Sequence, residues 1–318
     1  MDDIIIVNNL TKVYRVHEKP EGFKNSIIDL FARRYVDKVA VDGVSFQVGR
    51  GEIVGLLGEN GAGKTTTLKM LTGILYPTSG AASVAGYEPT QRKKAFLKKI
   101  SFVMGNKTDV NWDLPAVDTF RYQQLVYEIP DAQYKTNLAA LSGLLGVDHL
   151  LNTQIRRLSL GERMKMELIN SFLYTPEIVF LDEPTIGLDL ASQISIRTFL
   201  KEYRRKRNTT VVITSHYMDD IEETCDRVIL LTGGKKAFDG DVAEIKRADT
   251  PFKDIILSMM EGGGDPGSGG DTCYRDQVPS TSGDIGGCAP GSGGATSGGD
   301  PDSGGAPGSG GDTRDWKA

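Results

Sequence analysis

Gly58-Glu59-Asn60-Gly61-Ala62-Gly63-Lys64-Thr65-Thr66 is the stretch that decides the fold. An apolar run, Ile53-Val54-Gly55-Leu56-Leu57, precedes it, and Leu68-Lys69-Met70-Leu71, with helical spacing, follows. Strand, glycine-rich loop and helix in that order form the setting of a phosphate-binding loop. Glycines let backbone amides turn inward around phosphate oxygens. The helix behind them aims its positive end at the same oxygens. In this pattern Lys64 reaches the β- and γ-phosphates and the Thr65 hydroxyl ligates magnesium. A plain glycine-rich turn would also cap a helix, but it does not require a strand in front.

The 318 residues suffice for one large or two small domains. Composition is that of an ordinary soluble protein, 39% hydrophobic and 25% charged. No apolar run approaches the roughly 20 residues that cross a bilayer. The start, Met1-Asp2-Asp3-Ile4-Ile5-Ile6-Val7, is acidic and only briefly apolar, unlike a signal peptide. Cys225, Cys273 and Cys288 lack metal-ligand spacing, which fits a reduced, cytosolic protein. The net charge of −5 has a local origin: residues 262–318 hold eight acidic and three basic residues, and residues 1–261 carry 34 of each sign. A neutral main body offers no basic face, so no nucleic-acid partner is expected.

Along the chain, Ile4 to Val7 reads as a strand that continues through Leu10 to Tyr14. Residues 17–38 form an insertion, broken at Pro20 and Gly22. Within it Ile27, Ile28, Leu30, Phe31 and Tyr35 share a helical face. Val41 to Val48 alternates as an antiparallel strand does. Ala81 to Tyr87 and Ile100 to Met104 read as further strands, and Lys93 to Lys99 as a charged, solvated helix. Residues 105–115 form a polar loop with an exposed Trp112. From Ala116 to Tyr174 the pattern is almost wholly helical, which marks a helical subdomain over about 107–174.

Glu177-Ile178-Val179-Phe180-Leu181-Asp182-Glu183 is an apolar strand that ends in two carboxylates. Acids at a buried strand end must be satisfied, and a metal opposite the phosphate loop does so. Asp182 then holds magnesium directly or through water. Glu183 is placed to polarise the attacking water as general base. Val211-Val212-Ile213-Thr214-Ser215-His216 ends in the same way, which places His216 at the γ-phosphate. Asp226 to Leu231 and Lys235 to Phe238 read as a hairpin, and Pro251 to Met260 as an amphipathic helix. Residues 262–318 repeat Gly, Ser, Asp, Pro and Thr and hold half of the 38 glycines. Such a tail buries too little to offset its ordering entropy and is expected to be disordered.

Leu158-Ser159-Leu160-Gly161-Glu162-Arg163 stands just before a helix. Together with the phosphate loop, Leu181-Asp182-Glu183-Pro184, Gly187-Leu188-Asp189 and His216, it resembles the ATP-binding-cassette (ABC) ATPases over about residues 4–245. The resemblance implies an α/β fold: a P-loop NTPase core of mixed sheet and helices, an antiparallel β subdomain and an α-helical signature subdomain. It implies ATP and Mg2+ as cofactors and a catalytic domain over residues 1–261. The nucleotide set it implies is Tyr14, which stacks on adenine, Gly58, Glu59, Asn60, Gly61, Ala62, Gly63, Lys64, Thr65 and Thr66. Ser159, Gly161, Glu162 and Asp189 join from a second subunit, in a homodimer or heterodimer. Glu183, His216 and Lys64 are the implied catalytic residues, and Thr65, Asp182 and Asn106 the metal ligands.

Two departures stand out. Leu160 and Glu162 replace the usual glycine and glutamine of the signature. Asn106 stands where the family carries a glutamine, one methylene longer, so its metal contact is direct or through a water. The run Met104-Gly105-Asn106-Lys107 to Trp112-Asp113-Leu114-Pro115 and the run Leu158 to Met166 resemble the ATPase subunits of exporters with ABC-2-type membrane subunits. A peripheral location on the cytoplasmic side of the cell membrane, bound to such a permease, is therefore implied. The rival readings are a soluble, non-transport cassette acting on ribosomes or DNA, and a metabolite kinase. The kinase leaves the signature and Asp189 unexplained.

Overall fold

The computed structural model describes residues 2–17, 35–105, 110–246 and 250–261. The long β1 (Asp3–His17) runs antiparallel to β2 (Tyr35–Gly49). After β3 (Ile53–Gly58) come α1 (Lys64–Leu71) and β4 (Ser79–Val84). The single turn α2 (Lys94–Leu97) leads to β5 (Ile100–Met104). Three helices follow, α3 (Ala116–Val126), α4 (Asp131–Leu145) and α5 (Leu160–Phe172). Then β6 (Ile178–Asp182), α6 (Leu190–Arg207), β7 (Thr210–Thr214) and α7 (Met218–Thr224) alternate. The chain closes with β8 (Arg227–Thr232), β9 (Lys235–Asp241), α8 (Val242–Ile245) and α9 (Phe252–Glu261).

These strands make two sheets, as the α/β expectation requires. One is antiparallel, in the order β2-β1-β4; the other is six-stranded, in the order β5-β6-β7-β3-β8-β9. In the larger sheet β5, β6, β7, β3 and β8 are parallel, and β9 returns antiparallel to β8. Phe180 of β6 pairs with Phe102 on one side and Val212 on the other. Side chains alternate across a strand, so β6 serves two cores at once. Val179 and Leu181 join Phe120, Leu141, Phe172 and Phe199 of the helices. Ile178 and Phe180 join Leu68, Met70 and the antiparallel sheet's Ile5, Val7 and Phe46. This double burial is why β3, β6 and β7 read as unbroken apolar runs. Phe172 packs edge-on against Phe199 and Tyr203, and burial pushes the Tyr203 phenol up to about 12. Gly55 has a packing role: a Cβ there would lie 2.8 Å from Ile221 and hold α7 off the sheet.

The structure departs from the sequence expectations in several places. The insertion is shorter than 17–38 at both ends, because His17 ends β1 and Tyr35 to Lys38 begin β2. Tyr35 is therefore a strand residue, opposite His17 and 4.9 Å from the Arg15 guanidinium, rather than part of a helical face. Ile27, Ile28, Leu30 and Phe31 lie outside the described residues, as do Asn106 and residues 262–318. The strand placed at Ala81 to Tyr87 ends at Val84, where a turn through Ala85 and Gly86 brings Tyr87 back onto Val84. The helix placed at Lys93 to Lys99 is one turn and not fully solvated, since Phe96 is buried. The apolar residues of the 116–174 block continue into the core beneath the large sheet.

Candidate functional site

The parallel strands β3, β6 and β7 end side by side, and this brings three separate loops together. Gly63, with φ 99°, caps α1; a Cβ there would lie 2.5 Å from the Ala40 carbonyl oxygen. Gly58, with φ 152°, has the Leu231 carbonyl oxygen 2.2 Å from where a Cβ would stand. Only glycine fits both positions. The buried Lys64 donates from Nζ to the Gly58 carbonyl at 2.7 Å and the Glu59 carbonyl at 2.9 Å. Burial lowers the pKa of this ammonium, while Glu183 and Asp182 pull it partly back up. Ala62 N donates to the Glu59 carbonyl at 3.1 Å and closes the turn over Asn60 and Gly61. Thr66 is half-buried on the first turn of α1.

Thr65 Oγ1 lies 2.9 Å from both carboxylate oxygens of Asp182. Asp182 Oδ1 also accepts the Thr214 hydroxyl at 2.8 Å. A hydroxyl and a carboxylate converging beside a phosphate loop are hard oxygen donors of the kind magnesium takes, together with substrate phosphates. The donor set therefore fits that ion. Among the described residues no group of three or more His, Cys, Asp or Glu forms a separate metal cluster.

Glu183 follows with φ 55°, in the left-handed region. Thr214 pins it there: Glu183 N donates to the Thr214 carbonyl at 3.1 Å and to its Oγ1 at 3.0 Å. The carboxylate is thereby turned toward β7, and Glu183 Oε1 lies 2.7 Å from His216 Nε2. Gly105 comes in from the side of β5. Its N donates to the Asp182 carbonyl at 2.8 Å, and a Cβ there would lie 2.2 Å from the Glu183 carbonyl oxygen. Gly105 immediately precedes Asn106, so the loop with that expected metal ligand starts against Glu183.

Tyr14 lies in β1 opposite Lys38, with Lys12 Nζ 5.4 Å from its ring centroid. Ser159, Gly161, Glu162 and Asp189 form a second group at two helix starts. Ser159 caps α5: its Oγ accepts the Glu162 N–H at 3.2 Å, while Glu162 Oε2 accepts the Ser159 N–H at 2.8 Å. Glu162 thus closes a reciprocal capping box. Asp189 caps α6, accepting the Ser192 N–H at 2.9 Å and its hydroxyl at 2.7 Å. The Ser192 hydroxyl, and after it the Ser192 N–H, holds the Asp189 carboxyl below its ordinary pKa. A Cβ at Gly161 would fall 2.1 Å from Ser192 Oγ, so the two helix starts touch. Leu160, Ile186, Leu190 and Ile194 are exposed around them.

Thr214, Ser215, Thr185, Asp220 and Gly105 escaped the sequence reading. The only signal for the first two was a pair of hydroxyls directly before His216. Trp112 is exposed as expected, with the Arg163 guanidinium 4.5 Å from its ring. The buried Glu167 of α5 accepts the Val110 N–H at 3.0 Å, which ties the 110–115 loop to the signature helix.

The chain resembles known ATP-binding proteins. The family model described as ABC transporter matches residues 41–186. The chain is 30% identical over 222 residues to the ABC transporter ATP-binding protein NatA of Bacillus subtilis, covering 69% of this chain and 90% of that one. It is 31% identical over 208 residues to the Nod factor export ATP-binding protein I of Burkholderia orbicola, covering 65% and 68%. A dimeric ATP-binding cassette solved in a post-hydrolysis state with ADP and Pi shares its fold, with a TM-score of 0.62 at 20% identity, covering 75% of this chain and 98% of that one.

Proposed function

This chain belongs to the ABC transporter ATPase family, and from that membership we propose that its nucleotide site is half of a dimeric switch that drives export through a separate ABC-2-type membrane subunit. The observation that carries the catalytic part is the 2.7 Å contact between Glu183 and His216, beside Thr65 and Asp182. Lys64 and the amides of Gly58 to Thr66 bind the phosphates of ATP, and the Tyr14 ring takes the adenine. Thr65 and Asp182 would hold magnesium, with Asn106 as a further ligand directly or through a water. When bound, that ion neutralises charge on the β- and γ-phosphates. Glu183 takes a proton from the attacking water, and His216 fixes the orientation of that carboxylate and bonds the γ-phosphate. Holding water, carboxylate and phosphate in line supplies most of what phosphoryl transfer requires.

Closure comes from a second copy, a homodimer or a heterodimer partner. Its Ser159 and Gly161 sit at a helix start, where a hydroxyl and a bare backbone present donors to the γ-phosphate. The exposed Leu160, Ile186, Leu190 and Ile194 around that helix start give an apolar seam for it, with Asp189 on the seam. Glu162 reaches its own chain's Ser159 and contributes by holding the cap. On the loop before α3 and on α3 itself, Trp112, Leu114, Tyr122, Leu125 and Val126 are exposed and fit a membrane-subunit partner. No helix among the described residues is long and apolar enough to cross a membrane. On this reading, which rests on the resemblance to exporter subunits, the chain acts at the cytoplasmic face through its permease, with residues 1–261 as the ATPase domain.

The relative named for Nod factor export supports the direction of transport. Glu183→Gln is expected to retain ATP binding while steady-state hydrolysis slows by ~10²–10⁴-fold, the usual worth of a general base. Unchanged turnover would remove Glu183 from that role. Co-expression with the membrane subunit tests the exporter assignment: ATP-dependent efflux should appear with the native chain and vanish with Glu183→Gln.

A further inference from the structure

Behind the Glu183–His216 contact lies a buried cluster that the proposed chemistry leaves unused. Its centre is Asp220 of α7, which is fully buried. Asp220 Oδ2 accepts two hydroxyls, one from Thr185 and one from Ser215, the latter at 2.7 Å. Oδ1 lies 3.2 Å from Arg197 Nε, an ion pair rather than a hydrogen bond, since neither atom has a hydrogen-bond partner among the described residues. Arg197, also buried, reaches Glu223 Oε1 through Nη1 at 2.8 Å.

The placement of the two hydroxyls points to more than packing. Thr185 stands two residues after Glu183, and Ser215 stands directly before His216. Ser215 Oγ also accepts the Tyr217 N–H at 2.9 Å, so one hydroxyl fixes the backbone on both sides of His216. A single carboxylate therefore grips both loops that present the catalytic pair. A buried ion pair is a poor way merely to glue α6 to α7, because desolvating two charges offsets much of their attraction and an apolar pair would pack as well. Charge-assisted hydrogen bonds do give direction, and direction is what Glu183 and His216 need.

We propose that Asp220, anchored by Arg197, is a positioning residue that sets Glu183 against His216 through Thr185 and Ser215. This rests on the reading of Glu183 as general base. Asp220 is fully buried and bonds Thr185 and Ser215 rather than any residue of the phosphate loop, so its removal acts on the catalytic step and leaves ATP binding intact.

The test is a double-mutant cycle on the full chain, read by steady-state ATPase kinetics and by titration of a fluorescent ATP analogue. Asp220→Asn should lower kcat by about 10- to 100-fold, with KM and analogue affinity held within about threefold. Ser215→Ala and Thr185→Val, which spare the ion pair and so the fold, should each lower kcat about 3- to 10-fold. On a Glu183→Gln background the same substitutions should cost less than about twofold more, because groups that act as a unit are not additive. Losses that multiply on both backgrounds, or full turnover in both hydroxyl variants, overturn the proposal. Full turnover in Glu183→Gln alone instead overturns the general-base reading, so the two failures are distinguishable.

Discussion

Glu183 is a charged, β-capable side chain held at φ 55°, a conformation that ordinarily costs on the order of 1–3 kcal/mol outside glycine. Its two hydrogen bonds from N to Thr214 hold it there. The consequence is directional: the carboxylate swings off the axis of β6 toward His216, two residues past the end of the neighbouring strand β7. Gly105 guards the same backbone from the other side, since a Cβ there would overlap the Glu183 carbonyl oxygen at 2.2 Å. Backbone cannot yield as a flexible side chain does. Gly105→Ala is therefore expected to push Glu183 out of line and lower kcat by ~10-fold or more, the scale of a small misplacement at a reacting centre. Analogue binding should stay within about threefold, because Lys64 and the phosphate loop are untouched; an equal loss of binding would place the effect elsewhere. The chemical types at Lys64, Thr65, Asp182, Glu183 and His216 were legible in the sequence. The bent backbone at Glu183 was not, since no rule of pattern or propensity places a glutamate in the left-handed region.

Two helix starts divide the work among the elements. α1 begins on a glycine with open amides, which suits an anion. α5 begins instead on a fully satisfied box, in which Ser159 and Glu162 bond each other's backbone. From that difference we propose that Glu162 serves the helix cap rather than the ligand. Glu162→Ala is expected to lower stability by about 1 kcal/mol, the usual worth of a lost cap. For a domain of this size that is a melting-temperature fall of about 2–4 °C. KM for ATP should not change by more than about twofold; a large rise would make Glu162 a nucleotide contact after all. Elements with strong apolar periodicity were legible, as β3, β6, β7 and α5 show. The start of β2 was misread, because Tyr35 and Val36 suit a helical face as well as a strand, and the pairing with His17 and Val16 lies across a gap in sequence. The single turn α2 was overestimated because its lysines hid Phe96, a long-range contact of the core.

At the scale of the whole molecule the proposed general base and the proposed dimer seam stand on the same chain, and the seam residues Leu160, Ile186, Leu190 and Ile194 are exposed. Leu190, at the first position of α6, is the most exposed of the four at 68%, and a cluster of exposed apolar side chains suits an interface. In a Glu183→Gln background, ATP should drive the chain into dimers detectable by sedimentation. Leu190→Asp is expected to abolish them, since a charge then enters the seam unpaired, while monomer affinity for the ATP analogue is unchanged. Dimers that persist would move the seam elsewhere. The sequence by itself determined the family and the mixed sheet, and it named the residues proposed to meet the phosphates, because a phosphate loop and acid-ended apolar strands need only local order and period to be recognised. Only the tertiary structure decided how Glu183 and His216 are aimed, because Thr214, Ser215 and Gly105 meet the backbone at or beside them through contacts that form only when separate loops come together. The phosphate loop from Gly58 to Thr66 is thus readable from its own residues, whereas the buried hydrogen bonds around Glu183 and His216 exist only once five strands stand in register.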